Sequence, residues 1–242
     1  VFKDKGTNMT SHYNFNVQIY DPESISGKFR MKKFVRILGE YLNSKKGKVL
    51  DIGCGMGVST FALERLKFKS TGIDTSKAFI QRAKEITLKK NLSSKFFTKA
   101  AKDIETLKEV YNAVTFLGNS LPHFSIDELD TIIRKSWNVL NIDGIILFHY
   151  SDWVNILFSS YQRQMVEKNQ ENKVMLSYHS GIDTSAGFFE RLFMLPEKGE
   201  LFRARFYIWS PWFLEFLLKR NRFKKIESNN LEANIWVTRA VR

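Results

Sequence analysis

The stretch Val49-Leu-Asp-Ile-Gly-Cys-Gly-Met-Gly57 constrains this chain more than any other. A short, mostly apolar run of strand character ends in three glycines at alternate positions, and helical spacing starts at Val58. Glycines at the end of a strand let the backbone turn tightly and come close to a ligand. A dinucleotide loop would read G-x-G-x-x-G. Here the third glycine of that fingerprint is replaced by Val58, and Gly57 stands one residue early. Asp51 lies two positions before the first glycine, so the unit is an acidic residue followed by G-x-G-x-G.

The rest of the first 150 residues alternates in the same way. Apolar residues at Phe29, Phe34, Ile37, Leu38, Tyr41 and Leu42 recur at helical spacing and predict a helix over 26–42. Strands follow at 48–52, 70–74, 95–99, 112–118 and 145–149, separated by helical stretches at 58–66, 76–90, 104–110 and 126–140. Ser76 is placed to cap the second of these. Units of this kind predict a doubly wound α/β fold, with a mostly parallel sheet and helices on both faces. Ligands of such sheets bind beyond the carboxyl ends of the strands. After Ser151 the pattern changes to extended segments at 173–181, 187–195 and 201–209, with a turn at 196–200. They predict an antiparallel insertion after the fifth strand. A helix at 211–219 and strands at 223–228 and 234–240 complete a seven-stranded sheet. With no linker in sight, the expectation is one domain: cap helices in 1–45, a ligand-binding core in 46–150, the insertion in 151–209, and a closing helix and strands in 210–242.

Composition narrows the function classes. With 43% hydrophobic residues there is material for a sizeable core, and the longest apolar runs fall far short of the ~20 residues of a membrane helix. The first residues lack a signal pattern, so a soluble cytoplasmic protein with no membrane partner is expected. The single cysteine, Cys54, excludes an intrachain disulfide and reads as a small side chain in a crowded turn. No H-E-x-x-H or Cys/His cluster is present, so no metal is expected. The net charge of +13 would suit a nucleic acid. The positives are dispersed, however, with local groups only at Lys45-Lys46-Gly-Lys48 and between Lys219 and Lys225.

The loop from Val49 to Gly57 resembles motif I of the class I S-adenosylmethionine-dependent methyltransferases, which have a Rossmann-like fold. The resemblance implies S-adenosyl-L-methionine as cofactor, with its methionine part along Asp51, Gly53, Cys54, Gly55 and Gly57. Asp74 ends the second strand, where a carboxylate can accept both ribose hydroxyls, and Thr75 follows it. Asp103 and Ile104 stand where this family holds the adenine. Tyr20 and Arg30, in the segment from Tyr13 to Arg30, would close over the cofactor, as such segments do in this family.

On the substrate side, Phe116-Leu-Gly-Asn-Ser-Leu-Pro-His123 does not fit the N/D-P-P-Y/F motif of enzymes that methylate nucleic-acid amines. It is similar to the L-G-N-S-x-x-H stretch of the glycine N-methyltransferase group, and Leu201-Phe-Arg-Ala-Arg-Phe-Tyr207 is similar to a substrate-side strand of that group. The resemblance implies that Leu117 and His123 lie along the cofactor and that Asn119 faces the acceptor. The glycine-specific enzymes clamp their substrate's carboxylate with an arginine just after the fifth strand. Here that place reads Phe148-His-Tyr-Ser-Asp-Trp153, which predicts a bulkier or less anionic acceptor. Tyr150, Trp153, Tyr178, Phe189, Tyr207, Trp209 and Trp212 are candidates to line its pocket. Methyl transfer from a sulfonium is an in-line displacement that needs positioning and exclusion of water. Asn119 is assigned to orientation, and Tyr150 or His149 to proton handling. The expected function is methyl transfer to a small-molecule acceptor, an amine by this resemblance. An RNA or protein methyltransferase and a cofactor-binding module without catalysis stand as alternatives.

Overall fold

The computed structural model describes residues 2–7, 15–42, 47–169 and 172–242. Tyr13, Lys45 and Lys46 lie outside the described residues. The sequence expectation of a doubly wound α/β fold holds. A seven-stranded sheet is built from β2 (Lys48–Ile52), β3 (Lys69–Asp74), β4 (Lys95–Thr98), β5 (Tyr111–Phe116), β6 (Leu140–Ser151), β11 (Lys224–Glu232) and β12 (Ile235–Val241). Its order is β11-β12-β6-β5-β2-β3-β4, parallel except at β12, which pairs antiparallel with both β6 and β11.

Two-residue alternation along the central strands sorts side chains to the two faces. Leu50, Ile52, Val114, Phe116, Ile146 and Phe148 pack on one side with residues of α5 (Ile126–Val139) and α7 (Pro211–Arg220). Val49, Ala113, Ile145 and Leu147 pack on the other, against α2 (Ile25–Tyr41), α3 (Val58–Arg65) and α4 (Lys77–Lys89). Three of the longer helices start on a serine that caps them. The Ser24 hydroxyl accepts from the Gly27 N–H, Ser76 from Phe79, and Ser125 forms a reciprocal capping box with Glu128. Pro211 opens α7, where its missing N–H costs nothing.

The residues after β6 form a second sheet. Its strands are β7 (Gln164–Lys168), β8 (Val174–Asp183), β9 (Phe188–Leu195) and β10 (Glu200–Tyr207), all antiparallel, preceded by the short helix α6 (Trp153–Ser159). At its edge lies β1 (Lys3–Thr7), parallel to β10. Before α2 comes the single turn α1 (Val17–Tyr20). The second sheet is tied to the first by backbone and side-chain bonds. The Trp153 N–H donates to the Trp209 carbonyl at 2.9 Å, and the Trp209 indole donates to the Phe124 carbonyl at 3.3 Å.

Three details depart from the expected elements. The stretch expected to be helical at 104–110 is a 3₁₀ turn over Ala101–Leu107, starting three residues earlier. The expected break at 141–144 is absorbed into β6, which begins at Leu140 and slips register against β5 between Tyr111 and Ala113. β1, β7 and α6 have no counterpart in the sequence expectation.

Candidate active site

The carboxyl ends of β2, β3 and β5 open into one cavity of about 1450 Å³. Its floor is the glycine loop, residues 53–56, with 74–79 after β3, 99–102 after β4 and 117–120 after β5. Tyr20, Arg30 and Phe34 form a wall from the N-terminal helices, and Trp153, Arg191 and residues 205–207 form a wall from the second sheet.

The loop is shaped by backbone that only glycine adopts freely. Gly53, Gly55 and Gly57 have φ of 73°, 55° and 93°. Gly53 and Gly55 line the cavity. Gly57 does not, because it is the N-cap of α3, packed so closely that a Cβ would lie 2.9 Å from the Phe96 ring. Its glycine is required by packing. Cys54 lines the cavity as a buried thiol whose pKa burial pushes well above its usual value, which fits a small filler and not a nucleophile.

Asp51 does not reach the cavity wall. It sits inside β2 and points to the α3 face, where its carboxylate accepts from Ser59 Oγ at 2.5 Å, Thr60 Oγ1 at 2.7 Å and Thr115 Oγ1 at 3.1 Å. Burial raises its pKa to about 6, against the opposing pull of those three hydroxyls. Asp51 thus holds the loop to α3 and β5. Asp74 does line the cavity, and Thr75 beside it. Its Oδ2 accepts from Gly55 N–H at 2.9 Å and its Oδ1 from Ser76 N–H at 2.8 Å, and the Thr75 N–H adds a third backbone donor. Burial raises its pKa despite those amides.

Asp103 and Ile104 are corrected by the early start of the 3₁₀ turn. Ile104 is fully buried among Leu50, Ile73 and Ile132, and Asp103 lies off the wall; Ala100, Ala101 and Lys102 line the cavity in their place. Tyr150 and His149 are corrected as well. Both lie within β6 and point to opposite faces of the sheet, not to its end. The Tyr150 hydroxyl bonds Thr238 Oγ1 at 2.8 Å in the core, and burial pushes its pKa up. The His149 ring packs edge-on to Phe34, and burial lowers its pKa to about 4.

Leu117, Asn119 and His123 line the cavity. Asn119 has φ +67°; its Oδ1 accepts from the Ser151 N–H at 2.9 Å and its own N–H donates to the His149 carbonyl at 3.2 Å. It therefore ties the end of β5 to the end of β6 and keeps one carbonyl lone pair and its NH₂ for a ligand. Of the aromatic candidates, Trp153 and Tyr207 line the cavity, while Phe189 and Trp209 are core and Trp212 is largely exposed. Tyr178 lies under the Arg163 guanidinium, at 5.4 Å. The sequence reading missed Ser120, Arg191 and Arg205, all on the wall. Ser120 Oγ is buried with no partner. The two arginines come from strands 190–205, too far along the chain for local spacing to place them.

Residues 49–144 match the family model described as a methyltransferase domain. The matched stretch runs from the glycine loop through β3, β4 and β5 to the start of β6. Over 148 residues the chain is 29% identical to the mitochondrial ubiquinone biosynthesis O-methyltransferase of Saccharomyces cerevisiae, a match covering 54% of this chain and 46% of that protein. The match thus spans less than half of that relative. A solved protein of Pyrococcus horikoshii OT3 superposes over 97% of this chain and 99% of its own, with a TM-score of 0.74 and 23% identity. An amino pentose methyltransferase from Micromonospora echinaspora, solved with S-adenosylmethionine bound, covers 92% and 94% with a TM-score of 0.66 and 12% identity.

The methyl donor of such a domain is S-adenosylmethionine, and the wall fits it. The donor carries an ammonium, a carboxylate, a ribose diol and an adenine. Arg30 is half-buried, stacked over Tyr20 at 5.3 Å and Phe34 at 5.7 Å, with no carboxylate paired to it among the described residues. A Cβ on Gly118 would lie 2.9 Å from its Nη2, so the guanidinium lies against the loop that follows β5. It suits the amino-acid carboxylate. Asp74, a carboxylate on the cavity wall at the end of β3, suits the ribose diol. Phe79, Ala101 and Ile132 offer apolar surface for the adenine ring.

Proposed function

We propose that this chain transfers a methyl group from S-adenosylmethionine to a small-molecule acceptor, an amine of the kind methylated by the glycine N-methyltransferase group. The observation that carries this reading is the continuity of the cavity. Asp74 and the glycine loop at one end, and Trp153, Arg191 and Tyr207 at the other, share one cavity. Donor and acceptor can thus lie end to end, with Asn119 between them at the junction of β5 and β6. The donor supplies a methyl group already activated on a sulfonium. What remains for the protein is alignment and exclusion of water. The remaining Asn119 lone pair can accept an N–H of the acceptor, which leaves the amine's own lone pair free to face the methyl. An amine arriving unprotonated needs no base for the attack, so the displacement of Tyr150 and His149 from the site does not weaken the reading. The whole chain is read as a single unit in which the second sheet serves the acceptor. The L-G-N-S-x-x-H resemblance supports the amine, and the +13 charge keeps RNA as a rival substrate.

Calorimetry tests the donor. The chain should bind S-adenosylmethionine and its demethylated product at micromolar concentration and NAD hardly at all. In Asp74→Ala the affinity should fall by about 1.5–3 kcal/mol, the worth of hydrogen bonds to a charged group, with the far-ultraviolet spectrum unchanged. Tight NAD binding with no response to the other two would end the proposal. RNA binding that weakens steeply with salt and accompanies turnover would favour the polymer substrate.

A further inference from the structure

We propose that Arg191, with the indole of Trp153, holds a carboxylate group of the methyl acceptor at the second-sheet end of the cavity. The inference rests on reading that cavity as the methyl-transfer site, and it names what kind of acceptor fills it.

The observations concern buried polar groups that meet nothing. Arg191 projects from β9, is only 9% exposed, and lines the cavity. Its Nη2 is occupied, by Ser177 Oγ at 2.5 Å, Met165 Sδ at 2.8 Å and the Glu167 carboxylate at 3.6 Å. Its Nε is buried with no acceptor. Trp153, at the start of α6, also lines the cavity, and its Nε1 is buried with no acceptor. Behind the wall, His179 stands opposite Arg191 in the β8–β9 register, with its ring 6.4 Å from Trp153 and both nitrogens without partners. Native interiors satisfy nearly all such groups, and a buried donor left open is costly, more so when charged. Two such donors on residues that line one end of a cavity, Arg191 Nε and Trp153 Nε1, mark the place of a ligand.

Donor chemistry identifies the ligand group. Guanidinium and indole N–H groups can only donate, so what they face must accept. A planar guanidinium favours a planar oxyanion. Arg205 adds a second cation to the same wall, while Glu167 and Glu190, which partner these arginines, do not line the cavity. Glu167 already offsets part of the Arg191 charge, which suits a singly charged carboxylate better than a phosphate dianion. The arginine expected after the fifth strand is absent, yet the second sheet delivers one to the cavity from β9. The acceptor is therefore assigned as an amine that also carries a carboxylate.

The full chain, saturated with S-adenosylhomocysteine, is titrated with three probe pairs: 4-aminobenzoate, phenylalanine and β-alanine, each against its carboxamide. The indole N–H signal of Trp153 is assigned by its loss in Trp153→Phe. At least one acid should shift that signal and bind about tenfold or more tighter than its amide. Arg191→Gln should reduce the preference to less than about threefold, and Trp153→Phe should weaken the acid severalfold, both with S-adenosylhomocysteine affinity intact. Should Arg191→Gln fail to fold, Arg191→Lys keeps the charge without the fork and should still lose most of the preference. No acid preferred over its amide, or a preference that survives in these variants, would overturn the assignment. Acid preference in a chain that does not bind S-adenosylhomocysteine would instead sink the methyl-transfer reading.

Discussion

Asn119 combines two roles that substitution can separate. Its left-handed backbone, at φ +67°, is a conformation that costs an ordinary residue on the order of 1–3 kcal/mol. Its side chain meanwhile holds the Ser151 N–H. Asn119→Ala loses the amide and keeps the strain, whereas Asn119→Gly loses the amide and relieves it. If the amide orients the acceptor, both variants should lower turnover by a similar factor while cofactor affinity, measured separately, stays near that of the parent. If Gly restores turnover, the backbone matters and not the amide. If cofactor affinity collapses with turnover unaffected, Asn119 belongs to the donor's end of the cavity. Asp51 shows the opposite case, a residue whose place in the motif suggests ligand contact but whose three hydroxyl donors turn it inward.

At the scale of elements, two glycines in helical context should respond in opposite directions. In Gly57→Ala the new Cβ meets Phe96 and Phe61 near 3 Å at φ 93°, so a loss of at least ~2 kcal/mol is expected from strain and overpacking. Gly39, inside α2, has only Leu66 Cδ2 at 4.0 Å. Gly39→Ala should therefore gain roughly 0.5–1 kcal/mol. Urea midpoints of the two variants check both signs. The contrast bears on what could be read in advance. The strands of the main sheet were legible because buried parallel strands are short apolar runs, as in Lys48–Ile52, and the helices because their apolar residues repeat at helical spacing. β9, Phe-Phe-Glu-Arg-Leu-Phe-Met-Leu, was legible as an aromatic and apolar run that stops at Pro196. β7, Gln-Met-Val-Glu-Lys, and β1, Lys-Asp-Lys-Gly-Thr, carry too little apolar pattern, since edge strands are specified by the neighbour they join. The cavity residues of the glycine loop and of Asp74 and Thr75 are local to strand ends, where the sequence pattern could name them. The 3₁₀ turn that starts at Ala101 puts Ala100, Ala101 and Lys102 on the wall in place of Asp103 and Ile104, and Arg191 reaches the cavity through strand pairing that no short motif encodes.

For the whole molecule, buried titratable groups set a pH dependence. His149 and His179 have pKa values lowered by burial to about 4, so between their usual range near 6.5 and about 4 the unfolded chain binds their protons and the native chain does not. Stability from this source is lost as pH falls through that window. Asp51, raised to about 6, acts in reverse, since from about 6 down to the usual carboxylate range the native chain holds the extra proton. Asp74, which burial also raises, adds a smaller effect in the direction of Asp51; the two histidines outweigh both, so acid should destabilise the fold. His149→Phe should gain on the parent as pH drops from 7 to 4, by up to roughly 3 kcal/mol, while Asp51→Asn should make the parent's decline steeper. Parallel stability profiles for all three proteins, from urea midpoints at each pH, would show that these groups do not govern it. The pairing of β1 with β10 has a consequence in time. Asp4 lies opposite Leu201, so during synthesis β1 emerges roughly 200 residues ahead of its partner, a wait of about 10–40 s at common elongation rates. A strand left unpaired that long invites association with other nascent chains, and Lys3-Asp-Lys-Gly-Thr7, charged and without an apolar side chain, is the kind of sequence that can wait in water unharmed.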